Sequence, residues 1–579
     1  MDRNDLTFNA WNPGLESEIP GRLKELITLF RKENSTVSYG EAMGATELCG
    51  LKPQELCSLS AKRLIVHELL IRVTADLSVP DGPNYEDLGI SLRSMVSRIL
   101  KKHINPELDN ITIRFRDYCN KVEARIFQIF NQEFLLKTTE SEGQKKRLEF
   151  PTVFRNWKSE KSISTESRDI KLLRKWSIYP ETPEDIDSCC KFALARVIGG
   201  IIGVKGKLVS DQGLFLPLVL RVFLNSFGGY EIGRLIGPTF KTAVMVEDYR
   251  YLPSQLTPIV MNTKGASAAG KSTIRPQQRH LAERMDIPWK DFALISPDYW
   301  RKFLLDYSSL GADYKYGAML TGHELELIDK KLDLYMAQKA KKGEMPHLLI
   351  DRFRFDSFTI GGDGNYNSRL LTRFGEKVFL FFVITSPSAT VERAWKRGLS
   401  TSRYKAVDDL LSHNIEAYTG MPELFFSWMA IQDKEINFEF LDNNVELGVS
   451  PKTIAFGKGG KMTVLDLAGL SNIDLFKEVN IKAKKPDEVL DLNYKTDHSF
   501  VKQCFSRIPV VTLVDSETGA VYGSYDKGSW VYKDHLHKPK TDLEKECLLT
   551  IGWAQATAKS RHLKPTYNLI FERELTLGS

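Results

Sequence analysis

The chain has 579 residues, of which 42% are hydrophobic, so it is long enough for several domains with buried cores. Its 80 basic and 74 acidic residues leave a net charge of +6, an excess too small to favour nucleic acid as a partner. The polar N-terminus lacks the apolar core of a signal peptide, and no apolar stretch approaches the ~20 residues of a membrane span. Seven scattered cysteines without a CxxC pair indicate free thiols in a reducing, cytoplasmic compartment.

The first 250 residues are predicted to be mainly helical. Apolar residues recur at helical spacing between Leu23 and Phe30, and again between Leu88 and Ile99. We therefore predict a helical N-terminal domain over residues 1–150. Residues 151–250 are predicted to hold a polar, lysine-rich linker followed by a second helical block.

The pattern changes at residue 251, where short apolar runs begin to alternate with helical stretches. In chain order, the runs are PIVMN, FALIS, HLLID, KVFLFFVITS and INFEFLD. Near-continuous apolar strands separated by helices are typical of a parallel sheet covered on both faces, so residues 251–450 are predicted to form an α/β domain with a mostly parallel sheet. Residues 451–579 are predicted to form a small α+β C-terminal domain, because VVTLVDSETGAVYGSY reads as two strands around a turn.

The segment GASAAGKS follows the first apolar run and fits the pattern G-x-x-x-x-G-K-[ST] at every fixed position. Its two glycines allow the backbone to wrap closely, so that amide N–H groups point inward at phosphate oxygens. Lys271 supplies a positive charge for the β- and γ-phosphates of ATP and is predicted to be catalytic, and Ser272 supplies a hydroxyl ligand for Mg²⁺. The predicted ATP-binding residues of this loop are Gly265, Ala266, Ser267, Ala268, Ala269, Gly270, Lys271, Ser272 and Thr273.

Two aspartates follow apolar runs at the sheet edge where ligands of open α/β sheets bind. Asp298 comes just after FALIS, and Asp351 ends HLLID. A carboxylate at position 298 can accept the proton of an attacking hydroxyl as a general base, although it could also cap the helix that follows. Asp351 is predicted to hold Mg²⁺ or its waters, and the alternative is an ordinary turn aspartate.

A basic segment, SPSATVERAWKRGLSTSRYKAVDD, follows the fourth apolar run. Phosphoryl transfer needs positive side chains that neutralise the γ-phosphate and exclude water, and arginine suits this through its planar set of donors. Arg393 and Arg403 are predicted to be catalytic, and Arg397 to bind ATP. The alternative is an exposed basic helix that pairs with Glu392 and Asp408.

These segments together resemble the zeta-toxin family of P-loop kinases over about Leu256–Asn444, roughly a third of the chain. The family's glycine loop matches GASAAGKS, its base aspartate matches Asp298, and its lid pattern matches Glu392-Arg393 with Arg403. The resemblance implies a P-loop kinase core that transfers the γ-phosphate of ATP to a hydroxyl of a nucleotide-like substrate. In typical members that substrate is UDP-N-acetylglucosamine.

One group of zeta-like proteins, the AvrRxo-type bacterial effectors, phosphorylates the adenosine ribose of NAD. The step from Ser272 to Asp298 is longer than in compact toxins, and the long flanking domains also favour the effector type. The implied role is that of a toxin, or of an effector secreted into a host cytoplasm without a cleaved signal peptide. The implied protein partner of the flanking domains is an antitoxin, a chaperone or a host factor.

The chain departs from the family at the third strand, where the family often carries an acidic residue followed by Gly-Thr. Here the sequence is Asp351-Arg352-Phe353-Arg354, without glycine. Arg352 and Arg354 are predicted to contact the acceptor substrate. His323 and Glu324 stand where some members carry a substrate-contacting pair, and the alternative is an ordinary helix N-terminus with Glu324 complementing the dipole.

The sequence therefore predicts an ATP- and Mg²⁺-dependent small-molecule kinase whose acceptor is of the NAD or UDP-N-acetylglucosamine class. Two other functions stay open. A nucleotide-dependent switch or binding module would need the glycine loop but not Asp298. A polynucleotide kinase shares the loop and the aspartate, but it predicts salt-sensitive oligonucleotide binding, which the modest net charge does not favour.

Overall fold

The computed structural model describes residues 8–84, 86–135, 168–180, 182–208, 211–352, 371–446, 448–491, 496–556 and 575–578. Most of the predicted linker and Arg354 lie outside these residues. The chain divides by contacts into two compact units. The sheet unit comprises Met1–Ile19, Arg72–Ser94 and Arg250–Ser579, and the helical unit comprises Pro20–Ile71 and Met95–Tyr249. The division into four domains stays a prediction.

The described part of the first 250 residues forms seven α-helices, as its apolar periodicity indicates. They are α1 Tyr39–Cys49, α2 Ala61–Asp76, α3 Asp87–Ile99, α4 Leu108–Ile129, α5 Arg168–Trp176, α6 Ile186–Lys205 and α7 Gln212–Val246. The start of α1 has a capping box, in which Ser38 and Glu41 each accept the other's backbone N–H. By length and composition alone α7 could cross a membrane, but half of its most apolar window is buried inside the structure.

The sheet unit is built on one ten-stranded sheet. Its strands are β1 Ile259–Lys264, β2 Phe292–Ile295, β3 His347–Asp351, β4 Lys377–Ile384, β5 Glu435–Asp442, β6 Lys452–Lys458, β7 Lys461–Val464, β8 Val510–Val514, β9 Val521–Asp526 and β10 Ser529–Lys533. The sheet order is β10-β9-β8-β7-β6-β5-β4-β1-β3-β2. The five predicted apolar runs become β1 to β5, and all pairings among them are parallel. The α/β class predicted from the sequence is confirmed.

Strands β6 to β10 extend the same sheet. Strand β6 pairs antiparallel with β5, so the segment after residue 451 continues the sheet of the segment before it. Strands β8 and β9 are antiparallel and are the two strands that the sequence predicts around a turn. Only β7 and β8 pair in parallel in this half.

Helices connect the strands of this unit. They are α8 Arg275–Arg284, α9 Arg301–Leu304, α10 Gly317–Leu320, α11 Gly322–Lys341, α12 Pro387–Thr401, α13 Val407–Met429, α14 Leu467–Leu475, α15 Ser499–Arg507 and α16 Asp542–Thr550. Because β1 to β5 are parallel and their connections return to the opposite edge, all five carboxyl ends meet at one edge. That edge carries the glycine loop and both aspartates singled out from the sequence.

An aromatic cluster joins this edge's strands to the helices behind them. Phe425 of α13 lies fully buried, with its ring centre 5.9 Å from that of Phe382 on β4 and 5.1 Å from that of Phe440 on β5. Phe500 of α15 lies 6.0 Å from Phe425. Such ring pairs add to the free energy gained from apolar burial.

Replacing Phe425 with alanine should lower the free energy of unfolding by about 3–5 kcal/mol, because the cavity left among the surrounding rings cannot close fully. Urea unfolding followed by tryptophan fluorescence would measure this. Leu399→Ala is the matched control, since Leu399 is 59% exposed and should change stability little. Equal unfolding midpoints for the two variants would contradict the packing described.

Candidate functional site

The glycine loop leads from the end of β1 into a 3₁₀ turn, Lys271–Ile274, that continues as α8. Ala268 and Gly270 have positive φ angles of 63° and 95°. A Cβ atom on Gly270 would lie 2.2 Å from Nδ2 of Asn443, and one on Gly265 would lie 2.8 Å from the carbonyl oxygen of Val383. Both glycines are therefore required by close packing, and Gly270 by its backbone angle as well.

The carbonyl of Ala269 is fixed by three donors from other segments. It accepts hydrogen bonds from Oγ1 of Thr385 at 2.9 Å, from Nδ2 of Asn443 at 2.7 Å and from Nη1 of Arg393 at 3.4 Å. In a trans peptide the C=O and the following N–H point in opposite directions, so the N–H of Gly270 faces away from these donors.

The loop presents several backbone donors together. Within the described ranges, the N–H groups of Ser267, Ala268 and Gly270 have no protein acceptor. Neighbouring N–H groups of a loop of this kind form a concave site for an anion. The residues present therefore fit a phosphate group of ATP.

Lys271 lies inside the loop. Its Nζ donates to the carbonyl oxygens of Ala266 at 2.8 Å and Gly265 at 3.1 Å. Burial lowers the pKa of Lys271 to about 8, although the charges of Asp351 and Asp298 oppose this shift. The lysine is thus close enough to both aspartates for their charges to act on it.

Ser272 and Asp351 are in direct contact. The Ser272 hydroxyl donates to Oδ2 of Asp351, and this carboxylate also lies 3.8 Å from a guanidinium nitrogen of Arg275. Mg²⁺ prefers oxygen ligands and is usually held by one or two protein groups together with phosphates and waters. The hydroxyl and the carboxylate fit this ion, and no group of three or more His, Cys, Asp or Glu side chains in the described ranges forms another candidate metal site.

Asp298 sits in a 3₁₀ turn, Pro297–Trp300, directly after β2. Its carboxylate is 31% exposed, accepts from Nε of Arg301 at 3.0 Å and pairs with Nη2 of Arg403. Burial alone would raise the pKa of Asp298, but Arg403, Arg301 and Arg397 together hold it well below its ordinary value. Its bonds go to side chains, so the helix-capping alternative does not describe this carboxylate.

The predicted lid arginines occupy different places. Arg403 contacts Asp298, and the charge of Arg397 acts on both Lys271 and Asp298. Arg393 instead donates to backbone oxygens, namely that of Ala269 and, through Nη2, those of Asn443 at 2.6 Å and Val445 at 2.8 Å. Its contacts support the loop from behind.

The alternative for this basic helix, pairing with its own acidic neighbours, is not what the structure has. Glu392 accepts a hydrogen bond from Nε1 of Trp11 at 2.9 Å, and Asp408 accepts one from Oγ of Ser17 at 2.6 Å. Trp11 and Ser17 therefore bind the acidic residues on either side of the stretch from Arg393 to Arg403.

The structure describes three of the predicted acceptor residues, namely Arg352, His323 and Glu324. Arg352 is buried and donates through Nη1 to Oδ1 of Asp329 at 2.5 Å, while its Nε and Nη2 have no partner in the described part of the chain. Glu324 is fully buried, and His323 is half-buried. Among the described residues, no contact of Arg352 or His323 involves Asp298, so their role as substrate contacts stays a prediction.

Sequence reasoning did not single out two neighbours of the site. Nζ of Lys405 lies 2.7 Å from Nδ1 of His413. Burial lowers the pKa of Lys405 to about 7, with added repulsion from Arg397, Arg403 and Arg301 that Asp409 opposes in part. Lys405 stands two positions after Arg403, and that proximity was the available signal.

The turn before α3 also reaches the site, and nothing in the sequence indicates it. Asp81 is buried and pairs with Arg275 at 3.4 Å and with Arg279 at 3.0 Å, both on α8. Arg275 in turn contacts the Tyr299 hydroxyl and lies near Asp351. The segment 72–94 thus braces the helix that follows the glycine loop.

No protein-family model and no curated protein sequence matches this chain. A solved structure from the PezAT chromosomal toxin-antitoxin system of the human pathogen Streptococcus pneumoniae is similar to part of it. The similarity covers 37% of this chain and 76% of the other at 16% sequence identity, with a TM-score of 0.24. At this identity and TM-score the similarity does not establish a family or a function for this chain.

The lowered pKa of Lys271 predicts a pH dependence. Lys271 is protonated below about pH 8 and loses its charge above that pH, so kcat/KM for ATP should fall as pH rises above about 8. Bound phosphates restore the charged form, so kcat should stay level to higher pH. Steady-state kinetics across this range would measure both. A kcat/KM that stays level up to the ordinary lysine pKa of 10.5 would contradict the buried lysine.

Because Asn443 is one of the three donors that hold the Ala269 carbonyl, we expect its replacement to weaken ATP binding. Asn443→Ala removes one of three donors and should weaken ATP binding by roughly 2- to 10-fold, the range for one hydrogen bond. Asn443→Asp should weaken it further, because a carboxylate repels both the carbonyl and the phosphates. Isothermal titration calorimetry with ATP and Mg²⁺ would measure both, and equal affinities for the two variants would contradict the arrangement.

Proposed function

We propose that this chain is an ATP-dependent kinase that transfers the γ-phosphate to a hydroxyl group of a small nucleotide-type metabolite, in the NAD or UDP-N-acetylglucosamine class. One observation carries the proposal. Lys271 and Ser272 on the glycine loop, and Asp298 after β2, lie at the same sheet edge, and the charge of Asp298 acts on Lys271. A phosphate cradle beside a carboxylate is what transfer to an alcohol requires.

The loop binds the phosphates of ATP. The N–H groups of Ser267, Ala268 and Gly270 donate to phosphate oxygens, and Lys271 turns from the loop carbonyls to the β- and γ-phosphates. Ser272 and Asp351 would hold Mg²⁺, which would neutralise phosphate charge. Because the loop is held by Thr385, Asn443 and Arg393, its donors are oriented before ATP arrives.

Asp298 accepts the proton of the acceptor hydroxyl. The hydroxyl oxygen forms a bond to the γ-phosphorus, the bond between that phosphorus and the bridging oxygen breaks, and ADP leaves. Its low pKa keeps Asp298 ionised before the reaction, so the carboxylate is able to accept this proton. Arg403 couples the lid to this step, because turning toward the γ-phosphate releases the Asp298 carboxylate with which it is paired.

The cleft beside Asp298 favours a kinase over a nucleotide-dependent switch. Asp298, Tyr307 and Arg403 line this opening, and the carboxylate of Asp298 is partly exposed there. A switch needs no such access. The toxin or effector role, the antitoxin, chaperone or host partner, and delivery into a host cytoplasm stay predictions of the sequence.

The proposal is tested by incubating the protein with ATP, Mg²⁺ and a panel of NAD, UDP-N-acetylglucosamine and nucleoside monophosphates, and by detecting the gain of one phosphate by mass spectrometry. Lys271→Ala should abolish ATP binding. Asp298→Asn should keep ATP binding but lose about 10²- to 10⁴-fold in transfer, the usual contribution of a general base. Asp433→Asn, at an exposed position, is the matched control and should behave as wild type.

Two results would contradict the proposal. One is the absence of a phosphorylated product from every acceptor although ATP binds. The other is an Asp298→Asn variant that transfers phosphate at the wild-type rate. Full activity in cells for Asp298→Asn together with none for Lys271→Ala would favour the switch.

A further inference from the structure

The cleft beside Asp298 is built from three separate parts of the sheet unit. Glu86 is the residue just before α3, and Arg93 lies in the middle of that helix. Asp298, Arg301 and Lys302 follow β2, and Arg403 follows α12. The opening therefore joins the proposed base to a segment about 200 positions away in the sequence, outside the stretch that carries the kinase motifs.

The charges around this cleft are unequal. Four cationic side chains, Arg93, Arg301, Lys302 and Arg403, face two carboxylates, Glu86 and Asp298. The cations therefore exceed the anions by two. A cleft with a surplus of one sign concentrates ligands of the opposite sign. The surplus favours an acceptor with negative charge in addition to its hydroxyl group.

Arg93 has unused capacity to bind such a ligand. Its Nη1 donates to the carbonyl oxygen of Tyr299 at 3.3 Å, and its Nη2 lies 4.0 Å from Oε2 of Glu86, which is beyond hydrogen-bond distance. Across the described residues it has no other hydrogen bond. A guanidinium has five N–H donors, so several of them are available at this 19% exposed side chain.

Two neighbouring features explain why the guanidinium of Arg93 lies at the edge of the cleft. Glu86 is bound by Lys302, whose Nζ lies 3.0 Å from its Oε2. Gly89 provides the space, since a Cβ there would lie 2.7 Å from Nη1 of Arg93 and 2.6 Å from the Tyr299 ring. The absence of a side chain at position 89 therefore allows the guanidinium to pack against Tyr299 at the edge of the cleft.

We propose that this cleft binds the acceptor and that Arg93, with Lys302, binds a phosphate group of it while the hydroxyl lies at Asp298. The acceptor is then a phosphorylated alcohol such as a nucleotide or dinucleotide, and a neutral nucleoside or sugar is a poor substrate. The planar guanidinium suits two phosphate oxygens at once. This inference rests on the proposed kinase function and adds to it the residues, Arg93 and Lys302, that select a phosphorylated acceptor.

The test compares matched acceptors with the full-length protein, ATP and Mg²⁺. The pairs are NAD with adenosine, AMP with adenosine, and UDP-N-acetylglucosamine with N-acetylglucosamine. Wild type should phosphorylate members that carry phosphate and not their neutral counterparts. Arg93→Ala and Arg93→Gln should raise the KM of the preferred acceptor roughly 10- to 100-fold, the effect of one lost charge-assisted hydrogen bond, and change kcat much less. Arg93→Lys should retain part of the affinity.

Controls separate binding of the acceptor from loss of the fold. ATP affinity, measured by calorimetry, should stay at the wild-type value in the Arg93 variants, because Arg93 does not contact the glycine loop. Lys302→Ala should raise the same KM, because it removes one cation and frees Glu86 to pair with Arg93. Lys330→Ala removes an exposed charge from α11 and should leave every constant unchanged.

The possible failures can be told apart. Equal use of phosphorylated and neutral acceptors by wild type, or an unchanged acceptor KM in Arg93→Ala and Lys302→Ala, would overturn this inference while the kinase proposal stands. Failure of wild type to phosphorylate any acceptor would overturn both. A change in ATP affinity instead of acceptor KM would also overturn it.

Discussion

The glycine loop depends on one peptide group being held in place. The Ala269 carbonyl accepts from three donors, which come from the ends of β4 and β5 and from α12. This fixes the direction of the next N–H and places Gly270 in a backbone conformation that other residues rarely adopt. An unbound glycine-rich loop is otherwise free to adopt many conformations, and ordering it on binding would cost affinity. The fold supplies that order in advance.

Charges at this edge are paired within the protein. Lys271 donates to loop carbonyls, and Arg403 pairs with Asp298. Each cation therefore has a protein acceptor that a phosphate group can replace. A buried charge without a partner is costly, and these pairings limit that cost. Under the proposed function, ATP would take over the pairing of Arg403 and so release the carboxylate of Asp298.

Much of the central fold could be predicted from local patterns. The five apolar runs became parallel strands, and the two aspartates came to the edge where the glycine loop lies. These features depend on short motifs and on strand direction, which a single sequence records. The pairing of β6 with β5 could not be predicted, because a strand's own pattern does not say which edge it joins. The position of Arg393 could not be predicted either. It donates to the backbone oxygens of Asn443 and Val445, and no sequence motif marks those oxygens as acceptors.

Contacts between distant segments were equally beyond sequence reasoning. Thr385 and Asn443 belong to no recognisable motif. They lie 116 and 174 positions along the chain from Ala269, whose carbonyl they bind. Arg93 contacts Tyr299, which is 206 positions away in the sequence.

The most direct measurement is a crystal structure with a non-hydrolysable ATP analogue and Mg²⁺. We expect the γ-phosphate to accept hydrogen bonds from Lys271 and from the N–H of Gly270. The space between the γ-phosphate and Asp298 should admit one hydroxyl oxygen. A triphosphate bound elsewhere, or an Asp298 carboxylate screened from the γ-phosphate by protein, would contradict it.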